Sequence, residues 1–106
     1  MSAPFDVRYS GAAREDLIRL FDHLLDKAKT AEDFAAAQLA IDAIREGVER
    51  NLSRTPFVYR KSGESPFLRE LLIPFGAAGY VALYEIKDAG HVLVLAVRHQ
   101  LEDDYH

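Results

Sequence analysis

The sequence predicts an α+β fold in which the elements follow the order β-α-α-β-β-β and an antiparallel sheet packs against a helical hairpin. Two stretches in the amino-terminal half repeat apolar residues every three or four positions, as amphipathic helices do. The carboxyl-terminal half instead contains apolar strands separated by short turns with glycine. A chain of 106 residues has room for one folded domain, which we expect to span residues 1–106.

The amino-terminal strand and the helix after it are predicted from a change of period at Ser10. Residues 6–9 alternate polar and apolar side chains, so they form a strand with one buried face, which we expect to join the same sheet as the later strands. Ser10 is a suitable helix cap, and Glu15 and Asp16 suit the positive end of the helix dipole. The helix is predicted over Gly11–Lys29 because one apolar stripe runs along it: Leu17, Leu20, Phe21, Leu24 and Ala28.

A second helix is predicted between Thr30 and Pro56, which stops the helical pattern. Thr30 can cap this helix, and Asp33 lies three residues on, where a carboxylate can complete a capping box. Its predicted core stripe is Phe34, Ala37, Ile41, Ile44, Val48 and Leu52. Small residues should let it approach the first helix closely in an antiparallel hairpin: Ala35, Ala36, Ala37, Ala40, Ala43 and Gly47.

Three strands are predicted after an irregular segment that covers residues 53–66. They span Leu68–Phe75, Tyr80–Ile86 and His91–His99, and the two short connections between them suit antiparallel hairpins. The continuous apolar run Val92–Val97 is typical of an interior strand that is buried on both faces.

The composition excludes several classes of protein. There is no cysteine, which removes disulfides, thiolate nucleophiles and cysteine-based zinc or iron–sulfur sites. The histidines are scattered, and the arrangement of His99 and His106 with Glu102 and Asp103 matches no defined metal site, so we expect neither a metal nor a cofactor. No apolar run approaches the roughly 18 residues of a membrane helix, and no leader is recognisable, so we expect a cytoplasmic protein without a membrane partner.

The charge is unevenly distributed along the chain. The net charge of −4 argues against a surface that attracts polyanions over the whole protein. Residues 45–70, with six basic and four acidic side chains, form the basic segment, whereas both flanking segments are acidic. Only this middle segment is therefore basic overall.

The candidate functional residues cluster at the end of the last strand. Arg98 and His99 follow the apolar run, and because side chains alternate across a strand we expect them to point to opposite faces of the sheet. Arg69 and Glu70 stand similarly at the start of the Leu68–Phe75 strand. The last strand is followed by an acidic run, Glu102-Asp103-Asp104.

The order of elements and several short motifs together resemble a known family. The motifs are the strand Arg69–Phe75, the strand Tyr80–Ile86 and the ending Val97-Arg98-His99-Gln100-Leu101-Glu102-Asp103-Asp104-Tyr105, with Ser10, Ala13, Asp16 and Leu17 at the first helix. They resemble the RelE/ParE superfamily of toxins from type II toxin–antitoxin systems, and the similarity covers nearly the whole chain. The resemblance implies the fold, a cognate antitoxin that neutralises the chain, and a toxin–antitoxin hetero-oligomer.

The superfamily has two branches with different targets. RelE-type members cut messenger RNA on the ribosome, while ParE-type members have no nuclease activity and poison DNA gyrase. Metal-free RNA cleavage needs a base, an acid and positive charge around the phosphate. The sequence offers candidates for these roles. Arg98 matches the arginine that RelE-type members place on their last strand, and the other candidates are Arg69 as a second phosphate contact, His99 or Glu102 as base or acid, and Tyr105 as a stacking or acid group.

The acidic run argues against the nuclease branch. Three adjacent carboxylates repel a phosphate within the screening length of about 8 Å, and Leu101 stands where we expect a basic residue in many relatives. We therefore favour a ParE-like toxin that inhibits DNA gyrase as a binding protein. Its predicted target surfaces are the helical hairpin and a basic loop, with four candidate target-binding residues: Arg54, Tyr59, Arg60 and Lys61.

Each of these residues also has a purely structural interpretation, which the sequence leaves open. Arg98 can be a strand-end arginine paired with Glu70, Glu85 or a carboxylate of the acidic run, and His99 can be structural. The acidic run can be a solvated terminal segment, and the basic loop can lack a partner. For the whole protein, the alternatives are a RelE-like ribosome-dependent endoribonuclease acting on mRNA and a non-toxic orphan interaction domain.

Overall fold

The computed structural model describes residues 3–101, in which two helices cover one face of a five-stranded sheet with the order β1-β5-β4-β3-β2. Within this range, no helix combines the length and apolarity needed to cross a bilayer. The elements are β1 (Asp6–Tyr9), α1 (Gly11–Lys27), α2 (Ala31–Leu52), β2 (Arg60–Lys61), β3 (Leu68–Phe75), β4 (Ala78–Asp88) and β5 (His91–His99).

The predicted α+β class is confirmed, but the sheet is mixed and not wholly antiparallel. β1 runs parallel to β5, from Asp6 beside His91 to Tyr9 beside Val94, while β3, β4 and β5 form the predicted antiparallel meander. The period of a strand identifies its buried face and carries no information about its direction. β2 was not predicted from the sequence, because two residues are too few to show a period.

Both helix starts are confirmed at the level of individual hydrogen bonds. Ser10 Oγ accepts the Ala13 N–H at 3.0 Å. Thr30 and Asp33 form the complete capping box, in which Thr30 Oγ1 accepts the Asp33 N–H at 3.1 Å and Asp33 Oδ2 accepts the Thr30 N–H at 3.2 Å. The hydrogen bond from the Lys29 N–H, ahead of that from Thr30, lowers the pKa of the Asp33 carboxyl. α1 ends two residues earlier than predicted, because Ala28 is extended.

The core lies between the two helices and one face of the sheet. Five of the six residues in the predicted stripe of α2 are buried, but Phe34 is 51% exposed because it precedes the part of the helix that covers the sheet. Gly47 permits close approach to β3 and not to α1, since a Cβ there would lie 3.3 Å from the Ile73 side chain. The core residues contributed by the sheet include Leu71, Tyr84, Val94 and Val97.

A β-bulge at Leu95 interrupts the pairing of β4 with β5. Tyr84 pairs with Val94, but the preceding Leu83 pairs with Ala96, so β5 contains one extra residue. The cap of α1 and a side chain of its second turn satisfy the displaced backbone groups: Ser10 Oγ donates to the Leu95 carbonyl at 3.1 Å, and the Val97 N–H donates to Asp16 Oδ2 at 2.8 Å.

Asp16 therefore binds the backbone of the bulge, a role that its predicted place near the positive end of the helix dipole did not indicate. Asp16 is only 6% exposed. It lies beyond the first turn of α1, which contains no acidic side chain. Arg19 Nη2 lies 3.9 Å from Asp16 Oδ1 and provides positive charge beside the buried carboxylate.

We predict that Asp16→Ala lowers the free energy of unfolding by about 1.5–3 kcal/mol, the usual cost of removing a charged acceptor from a buried N–H. Urea denaturation followed by circular dichroism measures the change. Asp22→Ala, which removes an exposed carboxylate from the same helix, should stay within about 0.5 kcal/mol of the unsubstituted protein. Equal losses in the two variants would contradict a specific role for Asp16 at the bulge.

Candidate functional site

Arg98 lies on the face of the sheet that the helices do not cover. Its Nη2 is 3.9 Å from Glu70 Oε2, and each of the two side chains is 13% exposed. Glu70 Oε1 also accepts a hydrogen bond from Arg60 Nε at 3.0 Å, so one carboxylate bridges two guanidinium groups. Arg98 Nη1 donates to the His99 carbonyl at 3.3 Å. The pairing of Arg98 with Glu70 that the sequence left open is present.

His99 lies on the face opposite to Arg98, as the alternation of the strand predicts, and this is the face that the helices cover. Its ring stands edge-on to the Tyr80 ring, with centroids 5.5 Å apart and an interplanar angle of 90°. The Leu101 N–H donates to His99 Nδ1 at 3.1 Å. That hydrogen bond uses Nδ1 as an acceptor, which leaves Nε2 as the ring nitrogen that can donate.

His99 also lines a cleft of about 490 Å³ between α1 and the ends of β4 and β5. We call this the basic cleft, because its charged lining residues are all cationic or histidine. It is lined by Arg19, Leu20, His23, Leu24, Lys27, Tyr80, His99 and Leu101.

Arg69 fastens the loop that precedes β3. Its Nη1 donates to the Tyr59 carbonyl at 2.7 Å and its Nε donates to the Pro66 carbonyl at 2.8 Å. The guanidinium also lies over the Phe57 ring, 5.7 Å from the centroid. These contacts give Arg69 a structural role that the sequence analysis did not foresee.

The described members of the predicted catalytic set do not meet in one site. Arg98 faces away from the helices, while His99 faces towards them. Arg69 pairs with Tyr84 and His99 pairs with Tyr80, so they are four residues apart along β4, or about 13 Å at the rise of a strand. Glu102 and Tyr105, the other two members of the set, lie outside the described residues.

The predicted target-binding residues lie on and beside the loop between α2 and β3. Arg54 and Lys61 are exposed, Arg60 is held by Glu70, and Tyr59 Oη lies 3.3 Å from Thr55 Oγ1. Three apolar side chains on the same loop are also exposed and were not predicted from the sequence: Phe57, Val58 and Phe67. We call these seven residues, Arg54, Phe57, Val58, Tyr59, Arg60, Lys61 and Phe67, the loop surface.

An apolar groove of about 590 Å³ lies between the two helices and β1. Ile18 at its margin is 61% exposed, which is a large fraction for an isoleucine. We call it the helical groove, and it is lined by Tyr9, Arg14, Leu17, Ile18, Phe21, Gln38, Ile41 and Arg45.

One edge of the sheet is also largely open. β2 pairs only with Arg69 and Glu70, so among the described residues no strand covers β3 from Leu71 to Phe75. Leu72 in this stretch is exposed. Within residues 3–101, no three His, Cys, Asp or Glu side chains lie together as they would to hold a metal ion.

Comparison with known proteins shows the family of this chain. Residues 7–104 match the family model described as ParE toxin of type II toxin-antitoxin system, parDE. The chain belongs to the ParE toxin family. It is 38% identical over 91 residues to Toxin RelE3 of Caulobacter vibrioides, covering 85% of this chain and 88% of that protein.

A solved structure described as the chromosomal ParDE TA system from P. aeruginosa has the same fold. The two chains superpose with a TM-score of 0.71 at 18% identity, over 92% of this chain and 98% of that one. The family model and the relative from Caulobacter vibrioides show that the protein is a toxin of the RelE/ParE superfamily, as the sequence motifs indicated, and a type II toxin–antitoxin system includes a cognate antitoxin as its partner.

Because Tyr9 of this ParE-family toxin is partly buried, we expect the free energy of unfolding to fall at alkaline pH. Burial beside the helical groove raises the pKa of Tyr9 to about 12 from 10.0, although the Arg45 charge opposes the shift, and Glu49 adds to it. As pH rises above 10, the unfolded tyrosine ionises first, so stability present at lower pH is lost between pH 10 and 12.

Unfolding free energies measured from about pH 8 to 12 should fall less steeply for Tyr9→Phe than for the unsubstituted toxin. Burial also raises the pKa of Tyr84, which therefore contributes to the fall in both proteins. Superimposable pH profiles for the two proteins would contradict this account of Tyr9.

Proposed function

We propose that this toxin acts as a ParE-type inhibitor of DNA gyrase, that is, as a protein that binds its target and does not cleave RNA. The proposal rests on one observation: the two arginines that were candidates for phosphate binding already contact other groups of the protein. Glu70 holds Arg98 on one face of the sheet, while backbone carbonyls hold Arg69 on the other. Two arginines so arranged do not act together on one phosphate.

RNA cleavage requires the catalytic groups to surround one phosphate, so the distance between these side chains is unfavourable for that reaction. A developing phosphorane needs donors held around it at hydrogen-bond distance, together with an acid and a base on opposite sides of the reacting phosphorus. His99 is separated from Arg98 by the thickness of the sheet. A carboxylate at Glu70, beside Arg98, further weakens the attraction for a phosphate.

The alternative is a RelE-like ribosome-dependent mRNA endoribonuclease, and the relative named Toxin RelE3 favours it. In that case the ribosome would have to bring together groups that are apart in the free toxin: Arg69, Arg98, His99, Glu102 and Tyr105. A chain that causes no growth arrest when expressed alone would instead be a non-toxic interaction domain.

The target surface that we propose for gyrase is the loop surface. It combines exposed cations at Arg54 and Lys61 with exposed aromatic rings at Phe57 and Phe67, which pack edge-to-face at 6.4 Å. Aromatic and arginine side chains carry much of the energy in protein interfaces. A partner with an acidic rim around an apolar pocket would complement this surface.

We predict that the purified toxin inhibits plasmid supercoiling by gyrase and that Lys61→Glu weakens this inhibition at least about tenfold, because the reversed charge opposes an acidic partner. Lys29→Glu, at an exposed lysine between the helices, is the matched control and should change inhibition less than about twofold. Equal effects of the two reversals would contradict the loop surface as the target site.

Expression in bacteria distinguishes the two toxic mechanisms. Gyrase inhibition should produce filamentation and an SOS response, whereas ribonuclease activity should stop translation and leave cut messages. Arg98→Ala should keep its toxicity under our proposal, with a melting curve to establish that it folds. Loss of toxicity in a folded Arg98→Ala protein, together with loss of mRNA cleavage, would favour the ribonuclease instead.

For the antitoxin we propose two docking surfaces, the helical groove and the open edge of β3. An amphipathic helix can bury its apolar side chains in the groove between Leu17, Phe21 and Ile41. An extended segment can pair with the backbone of Leu71–Phe75, where the described residues provide no strand. The chemistry suits an antitoxin segment with an apolar helical face followed by a strand.

We predict that Ile18→Glu weakens antitoxin binding at least about tenfold, since a charge at the margin of the helical groove must lose water on docking. Leu39→Glu is a close control, because Leu39 is 60% exposed against 61% for Ile18 but does not line the groove. Isothermal titration calorimetry measures both affinities. Binding unaffected by Ile18→Glu would exclude the groove as an antitoxin site.

A further inference from the structure

The backbone of β3 presents alternate residues to its two edges. In an antiparallel sheet, the N–H and C=O of one residue point to the same side, and successive residues alternate between the two neighbouring strands. The Leu68 carbonyl accepts the Ser62 N–H on the side of β2, whereas the Phe67 carbonyl accepts the Ile86 N–H on the side of β4. Even-numbered residues of β3 therefore point to β2 and the open edge, and odd-numbered residues bond to β4.

The open stretch of this edge offers three backbone groups to a partner. Glu70, the even-numbered residue before the stretch, already pairs with Arg60 of β2. Leu72 offers an N–H and a C=O, but a proline has no N–H, so Pro74 offers its C=O alone. Within Leu71–Phe75, a partner strand therefore finds one donor and two acceptors.

This arrangement makes the edge unsuitable for a second copy of the chain. If two β3 strands met with Leu72 opposite Pro74 about a two-fold axis, two of the four possible hydrogen bonds would lack a donor. If Leu72 lay opposite Leu72, each Pro74 would fall beside Glu70, whose place on the edge Arg60 already occupies. Proline at an outward position is one of the features that stop sheet edges from pairing with each other.

The occupant of the edge must therefore be held to the toxin at another place. Three hydrogen bonds over five residues are too few to offset the translational and rotational freedom that a free partner loses. A segment joined to a helix in the helical groove has a high effective concentration at the edge, so a few bonds can hold it. The Leu72 side chain is 46% exposed and adds an apolar contact for such a segment.

We propose that the open edge of β3 is a secondary docking site for an extended segment of the antitoxin, which bonds to the Leu72 N–H, the Leu72 C=O and the Pro74 C=O. The inference rests on the antitoxin docking proposed above. It adds the atoms that form the pairing, and it makes the edge dependent on binding elsewhere. The Leu72 N–H is the key group, because it is the one outward donor of residues 71–75.

Amide hydrogen exchange, measured by NMR on the toxin with and without its cognate antitoxin, tests the pairing. In the free toxin the amides of Leu71 and Ile73, which bond to β4, should exchange slowly and the Leu72 amide rapidly. The antitoxin should slow exchange at Leu72 at least about tenfold. A Leu72 amide that stays fast in the complex would overturn the proposal. So would protection of Leu72 that increases with toxin concentration alone, since the occupant would then be a second copy.

Two substitutions of Leu72 test the contribution of its N–H to affinity. Leu72→Pro removes an outward N–H and leaves the bonds between β3 and β4 in place, whereas Leu72→Val keeps the N–H on a side chain of similar size to proline. Isothermal titration calorimetry should show antitoxin binding about fivefold or more weaker for Leu72→Pro than for Leu72→Val, with circular dichroism to establish that both fold.

Equal affinities of the two folded variants would reject the edge. If Ile18→Glu still weakened binding in that case, the helical groove would remain an antitoxin site and only the present inference would fail. An unsubstituted toxin that does not bind the antitoxin would instead contradict the proposed docking itself. Should Leu72→Pro not fold, the exchange rate of the Leu72 amide in the unsubstituted complex decides the matter.

Discussion

The hydrogen bonds between the start of α1 and the bulge of β5 decide which way the strand-end residues point. Without the extra residue at Leu95, strict alternation from Val92 and Val94 would turn Arg98 towards the helices and His99 away from them. The bulge reverses both, and it also returns Val97 to the core. Ser10 and Asp16 make this possible because they bind the backbone groups that the bulge removes from the ladder. The distribution of charge over the two faces of the sheet follows from that one local irregularity.

Most helices and strands of this fold could be predicted from the sequence, because they depend on interactions between residues that are close together in the chain. Both helix caps depend on a side chain and an N–H three residues apart, and the predicted bounds of β3 and β5 match those of the structure. The direction of β1 and the bulge depend on contacts between residues far apart in the chain, as in the bond from Val97 to Asp16. The alternation of polar and apolar residues gives no information about such contacts. The position of Asp16 within the first two turns of an amphipathic helix was the one signal in the sequence that pointed to its bond with Val97.

The same distinction applies to the candidate site. The pairing of Arg98 with Glu70 was one of the alternatives that the sequence left open, and the opposite orientations of Arg98 and His99 followed from alternation. The role of Arg69 was not predictable, because its partners are backbone carbonyls of a loop whose path the sequence does not define. The exposure of Phe57, Val58 and Phe67 was missed for the same reason. Residue type alone suggested basic contacts and overlooked the aromatic surface beside them.

The loop after α2 is fixed at both ends by the core of the protein. The buried Tyr84 hydroxyl donates to the Pro56 carbonyl, and Arg69 binds the carbonyls of Tyr59 and Pro66. Much of the conformational entropy of this segment is therefore already lost when the chain folds. A protein that docks on the segment meets a preorganised shape and spends less of its interaction energy on ordering it, which favours tight association from a small area of contact.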